Sequence, residues 1–369
     1  MNGDVDAVVI GGGPAGAAAA AWLAEAGRRV VLFEREAVPH HKVCGEFVSV
    51  EAAEQLETLG LDPAALGALP IGRVRLIAGG REASAPLPFP AFSLSRKVLD
   101  EALLRAAGER GAVVQRGTLV RTLDRVDGGV VAVPADGPPL RAAAGFLAIG
   151  KHELKAWRRI GGRDNGRIGF KLHVALAPEQ ARALGDAVEM ILFPGGYAGL
   201  QPLADGRANL CLLVEKETFR RLGRHWPALL AHMADSSPIF AERIAGMRPQ
   251  WDKPLAIHGI PYGFVHRSRG DDGPLYRLGD QLAVIPSFCG DGMAIALHSA
   301  RRAAEHWLEG RREPFDGRPY GAQIGRAMLL SRAIGWSGLH SGLVGLCRIA
   351  PGLLRGAATG TRVDQLTGA

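Results

Sequence analysis

Short apolar runs alternate with helix-like stretches through the first 150 residues. Val5 to Ile10 is β-branched and apolar except for Asp6, a pattern that suits a strand buried on both faces. Gly11-Gly12-Gly13-Pro14-Ala15-Gly16 follows at once, and the Ala-rich residues 17–26 have the composition of a helix that Gly27 is placed to end. Residues 29–34 (RVVLFE) predict a second buried strand closing on an acid, residues 95–104 an amphipathic helix, and residues 113–120 another strand. Beyond residue 150 the pattern turns to strands, at 167–176, 187–193, 197–203 and 207–214. Residues 72–78 and 81–87 form an earlier hairpin around Gly79-Gly80. A helical stretch containing Trp226 runs to about Met247, and another helix covers residues 294–308.

A chain of 369 residues exceeds one ordinary domain, so two lobes or one large unit with an insertion are expected. Apolar residues at 47% and charged residues at 22% exclude disordered and fibrous classes. The net charge of +7 comes from scattered arginines with no basic run beside interleaved aromatics, which argues against a nucleic-acid partner. Cys44, Cys211, Cys289 and Cys347 lie far apart, with no CxxC pair and no zinc-like Cys/His spacing, so neither a metal site nor a disulfide is expected. MNGDVDAVVI lacks a basic n-region and a cleavage site, and the expected setting is the cytoplasm.

The glycine-rich turn carries the first chemistry. A lone GxGxxG is weak, but here it joins a strand to a helix and an acid, Glu34, follows about 20 residues on. Gly11 permits the tight turn, Gly13 lets backbone approach a pyrophosphate, and Gly16 lets helix pack on strand. The pyrophosphate is expected over the helix N-terminus at Pro14, Ala15 and Gly16. Glu34, with Arg35 beside it, is expected at the ribose. An acid at position 34 disfavours a 2′-phosphate and fits FAD or NAD.

The run Tyr276-Arg277-Leu278-Gly279-Asp280, continuing through Pro286 to Cys289-Gly290-Asp291-Gly292-Met293, resembles the second signature of flavoproteins with the para-hydroxybenzoate hydroxylase fold. The resemblance implies FAD as cofactor, Asp280 at its ribityl or phosphate region, Pro286 beside the isoalloxazine, and N–H groups of Gly290, Gly292 and Met293 at the flavin pyrimidine edge. Ser95-Arg96-Lys97-Val98-Leu99-Asp100 looks like the helix whose Arg lies along the FAD in that group, which nominates Arg96; Val120 would supply backbone contacts to adenine. His40-His41-Lys42-Val43-Cys44-Gly45-Glu46-Phe47 resembles a stretch of the geranylgeranyl reductase family that passes near the flavin. It makes Cys44, a cofactor neighbour, and Glu46 the candidate catalytic wall.

The implied architecture is α/β: a Rossmann-like FAD-binding domain built from residues 1–71, 96–150 and 271–310. A mostly antiparallel sheet domain is inserted as residues 72–95 and 151–270, and residues 311–369 form a C-terminal helical segment. The leading expectation is an FAD-dependent monooxygenase, acting through a flavin C4a-hydroperoxide on an apolar aromatic or polyketide-like small molecule. The alternative is a reductase of C=C bonds in an isoprenoid or other lipid-like substrate. The Gly-Ala-Asp-Gly motif common in relatives reduced directly by NADPH is replaced by Ala148-Ile149-Gly150-Lys151-His152, and no second GxGxxG follows. NAD(P)H as donor is therefore in doubt, and a separate flavin reductase or an organic donor is the expected substitute. The Trp-x-Trp-x-Ile-Pro signature of flavin halogenases is absent. Lys171 and His173 alternate on one strand face and are expected to be exposed to solvent, with lining the pocket as the alternative. Apolar residues at near-helical spacing from Trp336 to Leu353 are expected to pack on the FAD domain; covering a greasy tunnel or touching a membrane surface is the alternative.

Overall fold

The structure is a computed structural model that describes residues 4–159, 166–268, 270 and 272–363. The stretches 160–165 and 364–369, which belong to the expected inserted domain and C-terminal segment, lie outside the described residues. The first sheet orders its strands Val113–Arg116, Val30–Glu34, Val5–Ile10, Leu140–Leu147, Gly129–Pro134 and Val120–Val126, with Leu275–Arg277 also pairing Leu140–Leu147. Its central strands run parallel, Val9 lying opposite Leu32 on one side and Phe146 on the other. These strands have helices on one face and further chain on the other, which is why they read as continuous apolar runs.

The helix Pro14–Glu25 carries Ala17 to Ala21 fully buried. Side chains this small let it lie close between the helices Arg96–Glu109 and Gly292–Leu308. Gly16 makes the closest approach: a Cβ there would stand 1.9 Å from the Gly11 carbonyl oxygen, so the turn closes only with glycine at that position.

The second sheet orders Arg248–Pro249, Arg167–Ala175, Arg207–Glu215, Gly196–Pro202, Ala187–Phe193, Leu69–Ala78, Arg81–Ser93 and Phe47–Val48. It is antiparallel except where Ala187–Phe193 runs parallel to Leu69–Ala78. It begins earlier than the hairpin expectation, at Leu69, and takes in Phe47–Val48. One face is covered by short helices, among them Trp226–Ser236 and Pro238–Ile244, where one continuous helical stretch was expected. Phe170, Leu172 and Val174 are buried on that side. Because strand side chains alternate, Lys171 and His173 point to the opposite face, toward the first domain.

The expected strand 113–120 is broken after Arg116 by Gly117, which takes a left-handed φ of +68°. Val120 opens the next strand instead. The C-terminal helices Gly321–Gly335, His340–Ile349 and Gly352–Gly360 also depart from expectation. The last two pack on the strand Arg81–Ser93 of the second sheet, and only the first joins the core of the FAD-type domain, through Ile324 and Ala327. Among the described residues no helix is long and apolar enough to cross a membrane.

Candidate active site

A cavity of about 1220 Å³ lies between the two sheets. It exceeds the usual 300–1,000 Å³ of a single-ligand site, so a dinucleotide leaves room for a second molecule. Its lining brings together Thr118, Leu119 and Val120, the glycine-turn residues Gly13, Pro14 and Ala15, Asp280, and the loop residues Gly290, Gly292 and Met293. Glu34 and Arg35 also border it. The Glu34 carboxylate is buried and accepts from the backbone N–H of Gly12 at 2.7 Å and of Glu36 at 2.9 Å. A carboxylate can accept about four hydrogen bonds, so it retains capacity toward the cavity. Arg35 is half exposed and pairs with Glu36 at 3.1 Å. Pro286 is buried, and Ile285 and Ser287 on either side of it line the cavity.

Beside Gly13 a cationic corner has formed. Arg96 donates to both carboxylate oxygens of Asp100, at 2.8 and 2.9 Å, and Lys42 pairs with the same carboxylate at 3.1 Å. A Cβ on Gly13 would stand 3.8 Å from the Arg96 guanidinium and 3.9 Å from the Lys42 ammonium, ordinary contact distances, so both cations lie close beside the turn at the helix N-terminus. Burial opposes the charge on Arg96, and Asp100 outweighs it, raising the guanidinium further. Two cations share one carboxylate, which leaves the corner net positive and suited to a pyrophosphate.

The wall at the flavin-loop end is built by the segment His40 to Glu46. Glu46 is fully buried and adopts φ 61°, a left-handed conformation rarely held by a residue with a long side chain. Its carboxylate is gripped by the Lys171 ammonium, by His173 Nε2 at 2.7 Å and by the Arg96 backbone N–H at 2.7 Å. Burial alone would push this carboxyl up, but His173 and Lys171 hold it down to about 2. Asn209 donates to the carbonyls of Cys44 and Gly45 at 3.0 and 2.8 Å, and the Glu46 N–H reaches Cys44 Sγ at 3.4 Å. His41 stacks its edge on His173, ring centroids 4.8 Å apart, and both lie about 5 Å from Trp251. Burial, with Lys171 and His173 nearby, lowers His41 to about 4, so it is neutral near pH 7.

Lys171 and His173 are thus not solvent-exposed, contrary to expectation; they are 0% and 1% exposed. A usable signal lay in the sequence. The neighbours Phe170, Leu172 and Val174 mark a strand covered on one side, and a Lys facing inward requires a buried anion. The partner, 125 residues away, could not be read from spacing.

Sheet register extends the wall into a floor. Lys171 lies opposite Cys211, Cys211 opposite Gly199, Gly199 opposite Met190, and Met190 opposite Leu76. The row therefore runs from a buried ion cluster to plain apolar surface. Burial pushes the Cys211 thiol up to about 12, and Cys289 likewise, so neither is a ready nucleophile. Lys151 and Tyr262 also face the cavity; burial opposes the Lys151 charge, and Asp280 raises it. All four cysteines are free.

The flavin-loop end is tied to the C-terminal segment. Asp291 accepts from Gln323 Nε2, from the Val363 N–H at 2.7 Å and from Ser49 Oγ at 3.2 Å, and it pairs with Arg362 at 3.2 Å. Arg362 also donates to the Cys289 carbonyl. Burial raises the Asp291 carboxyl to about 6 in spite of those donors. Asp291 was read only as part of the loop; its role as a clamp has no local sequence signature.

Comparison with known proteins places this geometry. The FAD binding domain family matches residues 4–139. The chain is 30% identical over 329 residues to digeranylgeranylglycerophospholipid reductase 2 of Methanopyrus kandleri, covering 82% of this chain and 76% of that protein. It belongs to the geranylgeranyl reductase and para-hydroxybenzoate hydroxylase-like superfamily of FAD-dependent oxidoreductases. Menaquinone reductase of Mycolicibacterium smegmatis is 27% identical over 331 residues, 84% of this chain and 78% of that one. In fold the flavoprotein is similar to a geranylgeranyl bacteriochlorophyll reductase-like protein of Thermoplasma acidophilum, with TM-score 0.73 and 16% identity over 94% of this chain and 91% of that one. A flavin-dependent brominase shares the fold as closely, TM-score 0.77 with 19% identity over 98% and 95% of the two chains. FAD is the cofactor of this oxidoreductase. The cationic corner beside the glycine turn and a cavity with room beyond one dinucleotide fit that molecule.

Proposed function

We propose that this oxidoreductase saturates C=C bonds of an isoprenoid or similarly lipid-like substrate. The observation that carries the proposal is the cavity itself: besides the flavin-loop residues its lining includes Met190 and Leu76 of the second sheet and Leu343 and Leu354 of the C-terminal helices, an apolar wall larger than a phenol needs. The relatives that match over four-fifths of the chain support this, being reductases by name. The match to a flavin-dependent halogenase of Armillaria mellea reaches only 32% of the chain, and the likeness to solved halogenases concerns the fold. The monooxygenase expectation therefore gives way to its alternative as the favoured reading.

FAD would lie with adenine at Val120, ribose at Glu34, pyrophosphate against Gly13, Arg96 and Lys42, ribityl chain at Asp280, and ring beside Gly290, Gly292, Met293 and Cys44. When bound and reduced it supplies the hydride that a double bond accepts. The second hydrogen arrives as a proton, and here the two candidate wall residues separate. Glu46, held down to about 2, carries no proton to give near neutral pH. It acts as a positioning residue, fixing the loop that presents Cys44, whose thiol reaches the cavity and can hold the proton at Sγ.

Cys44→Ala is expected to keep its full complement of FAD while losing roughly 10²-fold or more in turnover, the usual worth of a positioned acid. Unchanged turnover would remove Cys44 from the reaction. The function itself is tested by the product. Holoenzyme reduced with dithionite and mixed with geranylgeranylated phospholipid should yield, without oxygen, a product heavier by one H₂ per prenyl double bond reduced. A product that gains oxygen, and forms only in air, would overturn it.

A further inference from the structure

We propose that the C-terminal helices seat the protein on an anionic phospholipid bilayer, with the apolar end of the cavity opening toward the lipid. Among the described residues, six of the ten exposed large hydrophobic side chains belong to this segment: Leu329, Trp336, Leu339, Leu346, Ile349 and Leu353. Trp336 is 68% exposed and Ile349 85%. Three of the six, Leu329, Leu346 and Leu353, also line the cavity, so the exposed apolar rim and the mouth of the cavity are one place.

The charge on this rim has one sign. From Gly317 to Val363 the chain has Arg318, Arg326, Arg332, Arg348, Arg355 and Arg362, no lysine, and not one Asp or Glu. Arg332, Arg348 and Arg355 are exposed beside the apolar side chains. An aromatic and aliphatic face bordered by arginines is the composition that sinks to the headgroup boundary of an anionic leaflet, aliphatic stems in the lipid and guanidinium groups at the phosphates. The helices have 15, 10 and 9 residues, short of the ~20 needed to span a bilayer, so they would lie in its plane. A second copy of the chain is the poorer occupant, because a two-fold interface would set an acid-free, arginine-bearing patch against itself. The Asp291 clamp, holding Gln323, Arg362 and Val363, then joins the docked segment directly to the flavin-facing loop.

The test uses the full-length holoenzyme and vesicle flotation, with no turnover measured, so its failure is separate from failure of the proposed reaction. Binding is expected to vesicles of phosphatidylcholine mixed with phosphatidylglycerol, to be weak on phosphatidylcholine alone, and to fall as salt rises. Replacing Arg332, Arg348 and Arg355 together by Gln should weaken it roughly 100-fold. The pair Trp336→Glu and Ile349→Glu should abolish it, Val38→Glu on another exposed face should leave it unchanged, and flavin absorbance in each variant reports the fold. Three results would overturn the proposal: no binding to the anionic vesicles, equal binding by the variants, or a dimer in sedimentation that Ile349→Glu dissociates.

Discussion

Glu46→Ala is expected to destabilise the protein by roughly 3–5 kcal/mol, the cost of leaving a buried cation without its partner. The reason is the asymmetry of the cluster. With the carboxylate gone, Lys171 at 0% exposure and His173 at 1% keep their places in a strand registered against Arg207–Glu215, and the buried charge loses its partner. Removing the cation as well should restore much of the loss, so Lys171→Met in the Glu46→Gln background is predicted to be more stable than Glu46→Gln alone. Urea unfolding of the four proteins measures this; equal stability of Glu46→Gln and wild type would show that the cluster is not held as a unit.

The same cluster sets an acid limit. The Glu46 carboxyl titrates at about 2 in the folded protein against an ordinary value of 4.5. A lowered folded value means that its contribution is fully present above about 4.5 and is lost as pH falls from there toward 2. The contribution is on the order of 3 kcal/mol. Stability measured across that window should fall more steeply in wild type than in Glu46→Gln.

Gly16→Ala is expected to give a protein without flavin. The new Cβ would stand 1.9 Å from the Gly11 carbonyl oxygen and 3.0 Å from the Ala148 side chain, so the turn must open and the helix N-terminus leave its place under the pyrophosphate. Overpacking of this kind costs about 1–3 kcal/mol and sometimes more. Loss of the yellow absorbance on purification is the expected result. Gly108→Ala, in the helix Arg96–Glu109 with nothing within 4 Å of the new methyl, should retain FAD and gain about 0.5–1 kcal/mol. A yellow Gly16→Ala protein would contradict the account of the turn.

What could be read from the chain, and what could not, follows the range of each interaction. The strand, turn and helix around Gly11 to Gly16 are set by neighbours in sequence, and the strand Val5–Ile10 has the bounds its apolar run predicts. The four inserted strands between residues 167 and 215 were legible to within a residue or two for the same reason, alternation being local, whereas the hairpin strand from Arg81 runs six residues past its expected end. The contacts that make the site were not legible. Glu46 meets Lys171 and His173 across 125 and 127 residues, and Asp291 meets Ser49 across 242. Glu46 could be nominated for the flavin wall and Asp291 for its loop, but not paired with their partners, because spacing carries no record of which distant strand will face which loop. Arg362, in the tail, gave no local hint that it would reach the Cys289 carbonyl. The glycines made the cofactor legible; the substrate side rests on apolar surfaces assembled from four separate stretches, whose individual patterns fit an ordinary core equally well.

Anaerobic stopped-flow tests the central claim most directly. Holoenzyme whose flavin has been reduced with dithionite is mixed with a geranylgeranylated phospholipid, which carries double bonds and no quinone ring to take the electrons, in the absence of oxygen, and flavin absorbance is followed. The account predicts reoxidation at a rate that rises with the lipid and falls in Cys44→Ala. Flavin that stays reduced under the lipid, and reoxidises only in oxygenated buffer through a transient distinct from both flavin forms, would contradict it.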